Sequence, residues 1–110
     1  MVRVDVRDFR VSAPAEVAAG DLEIEARNLG PDTHELLVAR FDSAQDLPLR
    51  HDAITVDEAR FEDRTAGAAE PFLAGTSEEF AVHLDPGRYV FFCNMSGHFL
   101  GGMHTVVTVR

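Results

Sequence analysis

A chain of 110 residues with 45% hydrophobic and 26% charged side chains has the size and make-up of one globular domain. Its ten cationic side chains are all arginines and its formal charge is −9, which argues against nucleic acid as a partner. No stretch approaches the ~20 apolar residues a membrane helix needs, and a single cysteine, Cys93, excludes an internal disulfide.

We therefore expect one domain over residues 1–110, monomeric, burying roughly two-thirds of the surface its unfolded chain exposes. The charge is uneven. Residues 1–40 carry 8 acids and 5 arginines, residues 41–79 carry 10 and 3, and residues 80–110 carry one and two. Such an acidic middle can steer a basic protein partner, but more often this kind of charge only keeps a protein soluble.

In chain order, Val2, Val4 and Val6 alternate with Arg3, Asp5 and Arg7, the period of a half-buried strand. This pattern stands where a basic-then-apolar leader would; a leader or tether already removed would leave no trace in this sequence. After a turn at Ser12-Ala13-Pro14, Leu22, Ile24 and Ala26 alternate with Glu23, Glu25 and Arg27. Asn28-Leu29-Gly30-Pro31 is a second turn. His34 to Phe41 is more continuously apolar, as expected of a strand deep in a sandwich. Residues 41–74 read as an irregular excursion with room for one short helix near Val56–Asp63. Phe80, Val82 and Leu84 then resume the alternation, and the three alternating segments predict an antiparallel sheet with one wet face.

Asp85-Pro86-Gly87-Arg88-Tyr89 sets a tyrosine just after a tight turn, the layout of a tyrosine corner in a Greek-key sandwich. His104 to Val109, apolar and β-branched, is expected to be another deep strand. The fold class is all-β, a Greek-key β-sandwich or barrel with a short helix or irregular excursion in 41–74.

Between the last two strands runs Cys93-Asn94-Met95-Ser96-Gly97-His98-Phe99-Leu100-Gly101-Gly102-Met103. Tyr89, Phe91 and Cys93 share one strand face, so the thiol points to the core side as the strand ends. Gly97 brings His98 back toward it, and Gly101-Gly102 returns the chain so that Met103 opens the next strand. His34, at a strand start after the Asn28 turn, is the fourth candidate. Two imidazoles, a thiolate and a weak axial thioether form the donor set of a type 1 (blue) copper site.

These residues carry a family resemblance. Asn28-x-Gly30-x-x-x-His34 and Asp85-Pro-Gly-x-Tyr-x-Phe-x-Cys93-x4-His98-x4-Met103 resemble the cupredoxins over essentially the whole chain, with residues 41–74 the least diagnostic part. The Cys-x4-His-x4-Met spacing is most similar to that of rusticyanins and sulfocyanins; azurins and plastocyanins use other loop lengths. The resemblance implies one copper ion held by His34, Cys93, His98 and Met103, single-electron transfer, and a periplasmic or extracellular location. Two departures stand out: the Cys–His loop has no proline, and Glu35 stands where the family often has asparagine or serine. Glu35 or its backbone is expected to bond across to Asn94, tying the two ligand-bearing segments together.

Taken singly, each residue has a plainer role. A lone buried cysteine is usually a small apolar residue. His83 should face solvent, His104 should point away from Met103, and His51 lies in the charged region. Met95 lies inside the Cys–His loop, where reaching a metal would strain the chain. Phe99 and Leu100, flanking His98, are read as an apolar rim where a redox protein docks. No oxyanion-hole motif accompanies Cys93, so no enzyme is expected. A second loop cysteine for a two-copper site is absent. The rival reading is a copper carrier or storage protein that binds the metal without cycling it.

Overall fold

A computed structural model describes all 110 residues. Its nine strands are β1 (Val2–Arg7), β2 (Arg10–Ser12), β3 (Glu16–Val17), β4 (Gly20–Asn28), β5 (His34–Ala39), β6 (Thr65–Phe72), β7 (Ser77–Leu84), β8 (Gly87–Phe92) and β9 (His104–Val109). They form two sheets, one of four strands in the order β2-β1-β4-β7 and one of five in the order β3-β9-β8-β5-β6.

The alternating segments pack as their period dictates. Val4 and Val6 of β1, Ile24 and Ala26 of β4, and Val82 and Leu84 of β7 are buried, while the residues between them face water or the sheet edge. They meet Leu36, Val38, Tyr89, Phe91, Val107 and Val109 of the other sheet in a core of 18 buried residues. The expectation of an antiparallel sheet is corrected at one seam. β4 pairs antiparallel with β7, but β1 pairs parallel with β4, with Val2 opposite Ile24 and Val6 opposite Asn28. The residues between β1 and β4 must therefore carry the chain back, and the short strands β2 and β3 lie on that return path.

The excursion is shorter than the sequence indicated. Thr65–Phe72 is a strand, β6, paired antiparallel with β5, so the irregular part ends at Arg64. Within it lie two 3-10 segments, Ala44–Asp46 and Glu58–Arg64, the second broken at Phe61 where φ is −143°. This excursion lies over the outer face of the five-stranded sheet. Phe41, Leu47, Val56 and Phe61 join Leu37, Ala39, Val90, Phe92 and Phe99 in a second core of nine buried residues. β5 and the end of β8 are thus covered on both faces, which accounts for their unbroken apolar runs. β9 differs from expectation: it alternates, with Val107 and Val109 buried but Val106 37% exposed, because its outer face is covered only near His104, which packs against Phe99.

β1, β4, β6 and β8 end, and β5 and β9 begin, at the same end of the sandwich. At the opposite end the Tyr89 hydroxyl donates to the Asp85 carbonyl and accepts from the Asp85 N–H, both at 3.1 Å, closing the tyrosine corner. β9 finishes there too, with Val109 opposite Gly87.

Candidate metal centre

Local chain geometry gathers the donor residues at one end of the sandwich. Cys93 follows β8, and its N–H donates to the Met103 carbonyl at 3.1 Å, so the residues bounding the loop are bonded to each other. Inside the loop, His98 N–H donates to Met95 O (2.9 Å) and Met103 N–H donates to His98 O (3.1 Å). Gly97 (φ +79°) and Gly102 (φ +102°) occupy left-handed backbone that a side chain would disfavour, which is why glycines stand at these two reversals. Met103 is fully buried in the inter-sheet core.

His34 opens β5 after a turn built on Asn28. The Asn28 side chain accepts from Gly30 N–H (2.8 Å) and donates to the Asp32 and Phe72 carbonyls, both at 2.9 Å. These bonds hold the turn so that the first residue of β5 faces the Cys93 loop.

Three donor atoms converge. His34 Nδ1 and His98 Nδ1 lie 3.2 Å apart, and Cys93 Sγ lies 3.9 Å from the first and 3.6 Å from the second. A point equidistant from all three is about 2.1 Å from each, within the ~2.0–2.3 Å span of metal–nitrogen and metal–sulfur bonds. His34 and Cys93 are fully buried, and the His98 side chain is 12% exposed. Without a metal, two imidazole nitrogens and a thiol would face one another with few partners. One soft thiolate, two imidazoles and a neighbouring thioether fit copper rather than zinc, whose sites draw on cysteine, histidine and carboxylate.

Burial disfavours the charged forms of two of the donors, Cys93 and His34. Burial pushes the Cys93 thiol above its ordinary range, opposed by the backbone N–H groups of Glu35 and Met95. Burial also lowers His34, against the opposing pull of Asp8. A neutral imidazole is ready to ligate, whereas the thiol must lose its proton as metal binds. Glu35 is pushed up to about 7, first by burial and then by the nearby charge of Glu58.

Both departures from the family pattern are in contact. Glu35 N–H points at Cys93 Sγ at 3.5 Å, and its Oε1 accepts the Asn94 N–H at 3.1 Å. The Asn94 side chain reaches into the excursion: Oδ1 accepts Val56 N–H at 2.6 Å, and Nδ2 donates to Val56 O (2.9 Å) and Glu58 Oε2 (2.6 Å). Gly97 N–H donates to Ile54 O at 3.2 Å.

No protein-family model matches the chain, and no curated protein matches it. Solved structures do. A reduced auracyanin from Roseiflexus castenholzii superposes with TM-score 0.70 over 98% of this chain and 94% of that one, at 18% identity. Rusticyanin from Thiobacillus ferrooxidans gives 0.72 over 98% and 76%, at 13% identity. An azurin from Methylomonas sp. strain J gives 0.66 over 98% and 95%, at 14% identity. This chain has the cupredoxin fold.

On that cupredoxin frame the rim differs from the one read off the sequence. Phe99 is not at the surface: it is 7% exposed, edge-on to Phe92 at 5.7 Å and tilted against His104 at 5.0 Å between ring centres. A phenyl group beside an exposed loop finds more area to bury beneath it than above it. Leu100 is exposed at 54%. The aromatic ring against His98 is Phe9, 48% exposed, with its ring centre 5.1 Å from the imidazole. Sequence reasoning missed Phe9 because it lies far away in the chain and has no motif around it.

Behind the imidazoles lie two acids. Asp8 Oδ1 is 2.7 Å from His34 Nε2, and Asp32 Oδ2 is 3.8 Å from His98 Nε2. The other histidines lie apart from the triad. His83 is exposed between Asp21 (2.8 Å) and Asp85 (3.2 Å), His104 is half-buried against Phe99, and His51 is exposed. Met95 is half-buried against the inter-sheet core.

Proposed function

We propose that this protein carries single electrons between redox proteins on one type 1 copper ion held by His34, Cys93, His98 and Met103. The observation that carries the reading is the buried triangle of His34 Nδ1, His98 Nδ1 and Cys93 Sγ, from which only an edge of His98 reaches the surface. Copper, when bound, supplies a one-electron couple between Cu(II) and Cu(I). The chain supplies the rest. The strand start at His34 and the bonded loop ends at Cys93 and Met103 hold the donors in place, so little has to move when the charge changes. The inter-sheet core excludes water from all but the His98 side.

An electron leaves or enters along the His98 edge. Phe9 and Leu100 give that edge an apolar surround suited to a small, transient encounter. No helix is long and apolar enough to cross a membrane. The family resemblance points to a periplasmic or extracellular location, and the acidic surface to a monomer with a basic redox partner.

Adding Cu(II) to the apo-protein is expected to give an intense thiolate-to-copper band, blue or green, that ascorbate bleaches and ferricyanide restores. Cys93→Ser is expected to lose the band; a variant that kept it would refute the ligand assignment. Rapid loss of copper to a chelator in both oxidation states would favour the carrier or storage reading instead.

A further inference from the structure

Resting on the copper reading, we propose that Asp8 is a positioning residue of the centre, which orients His34 from behind and holds the metal toward its oxidised state. His34 presents Nδ1 to Cys93 and His98, so Nε2 faces away from them, into fully buried surroundings. There it meets Asp8 Oδ1 at 2.7 Å. The carboxylate lies off the ring N–H direction, and His34 Nε2 is the one buried side-chain nitrogen or oxygen with no aligned hydrogen bond. A buried polar group in that position relies on its nearest charge.

Asp8 is held to this task by the turn that carries His34. Its N–H donates to Gly30 O at 3.2 Å, and its Oδ1 accepts Asp32 N–H at 3.2 Å. The next residue is Phe9, against His98. One dipeptide after β1 thus touches both imidazoles, with the charge behind the buried one and the apolar ring beside the exposed one.

Two effects follow. A carboxylate facing Nε2 fixes the proton there, leaves the Nδ1 lone pair for the metal, and makes the imidazole a stronger donor. A fixed negative charge one ring away from the donor atom also favours the more positive oxidation state. Asp32 provides the internal contrast. It faces the other imidazole at 3.8 Å, but its side chain is 54% exposed, so water screens it.

The test compares copper-loaded wild type, Asp8→Asn and Asp32→Asn by protein-film voltammetry. Asp8→Asn keeps an acceptor for Asp32 N–H while removing the charge. We expect its preference for Cu(II) over Cu(I) to fall about tenfold, an upward shift of about 59 mV for a one-electron couple. Asp32→Asn should shift less than a third as far, and Asp8→Glu should recover most of the wild-type potential. An unchanged potential in Asp8→Asn, or an equal shift in Asp32→Asn, overturns the proposal.

A second readout needs no copper. Long-range 15N–1H spectra of the wild-type apo-protein should show His34 protonated at Nε2, and a proton at Nδ1 would overturn the proposal even if Asp8→Asn did not fold. Wild type that failed to form the thiolate-to-copper band would instead count against the copper reading.

Discussion

The two cores of this protein are built from different instructions. The inter-sheet core is made by strands whose side chains alternate, so each strand contributes every second residue. The outer core is made by an irregular segment laid over β5 and β8, and its aromatic residues follow no period. The first core holds Cys93 and Met103. The second holds Phe99, and the excursion residues Ile54, Val56 and Glu58 bond directly to the ligand loop. One core therefore fixes where the donors start, and the other limits how far the loop between them can move.

Substitutions can separate these roles. The largest effect is expected from Phe91→Ala, between the sheets. Removing a fully buried phenyl costs about 4–5 kcal/mol where neighbours cannot collapse, a large share of a small domain's stability. Denaturant unfolding should show that loss, with weakened copper binding. Phe61→Ala, in the outer core, should cost about 3 kcal/mol, because a 3-10 segment can settle into part of the space. Its copper band should persist while amide exchange at Gly97 quickens. An unchanged Gly97 rate would show that the excursion does not restrain the loop.

Asn94→Ala tests the bridge itself. It leaves the Val56 N–H and carbonyl without their partner beneath the surface, at a cost of about 2–3 kcal/mol. The band should broaden if the loop loosens. Tyr89→Phe removes the hydroxyl at the far end and should cost about 1 kcal/mol, with no change in spectrum.

The smallest effect concerns His83, whose pKa is raised first by the Asp21 hydrogen bond and then by that of Asp85. A raised folded value means that its contribution is complete below the unfolded pKa of ~6.5 and fades as pH rises through the folded one. Asp21→Asn should lower the His83 pKa seen by NMR while barely changing global stability, since the group is exposed.

The same division explains what could be read in advance. β1, β4 and β7 announce themselves by alternation, and Cys93, His98 and Met103 by their places in one short loop. β6 does not. Thr65-Ala-Gly-Ala-Ala-Glu-Pro-Phe72 is poor in β-branched residues, and Gly67 is there because a Cβ would lie 2.7 Å from Val82. Asp8 was invisible for another reason. In the run Val-Asp-Val-Arg-Asp it looks like one more solvent-facing acid, and only the return of the chain over the Asn28 turn brings it to His34. Phe9 and Phe99 show the limit most directly. Adjacency in sequence nominated Phe99 for the His98 edge, and packing gave the place to Phe9.

The finish of β9 beside the Tyr89 corner has a practical consequence. Cys93 and Arg110 sit at opposite ends of a six-residue strand pair, about 20 Å apart at ~3.3 Å per residue. A linker or surface anchor attached at Arg110 would leave the His98 edge turned outward. Diffusing partners would then find it unobstructed, while a conductor at the anchoring side would have to exchange electrons through the length of the sandwich.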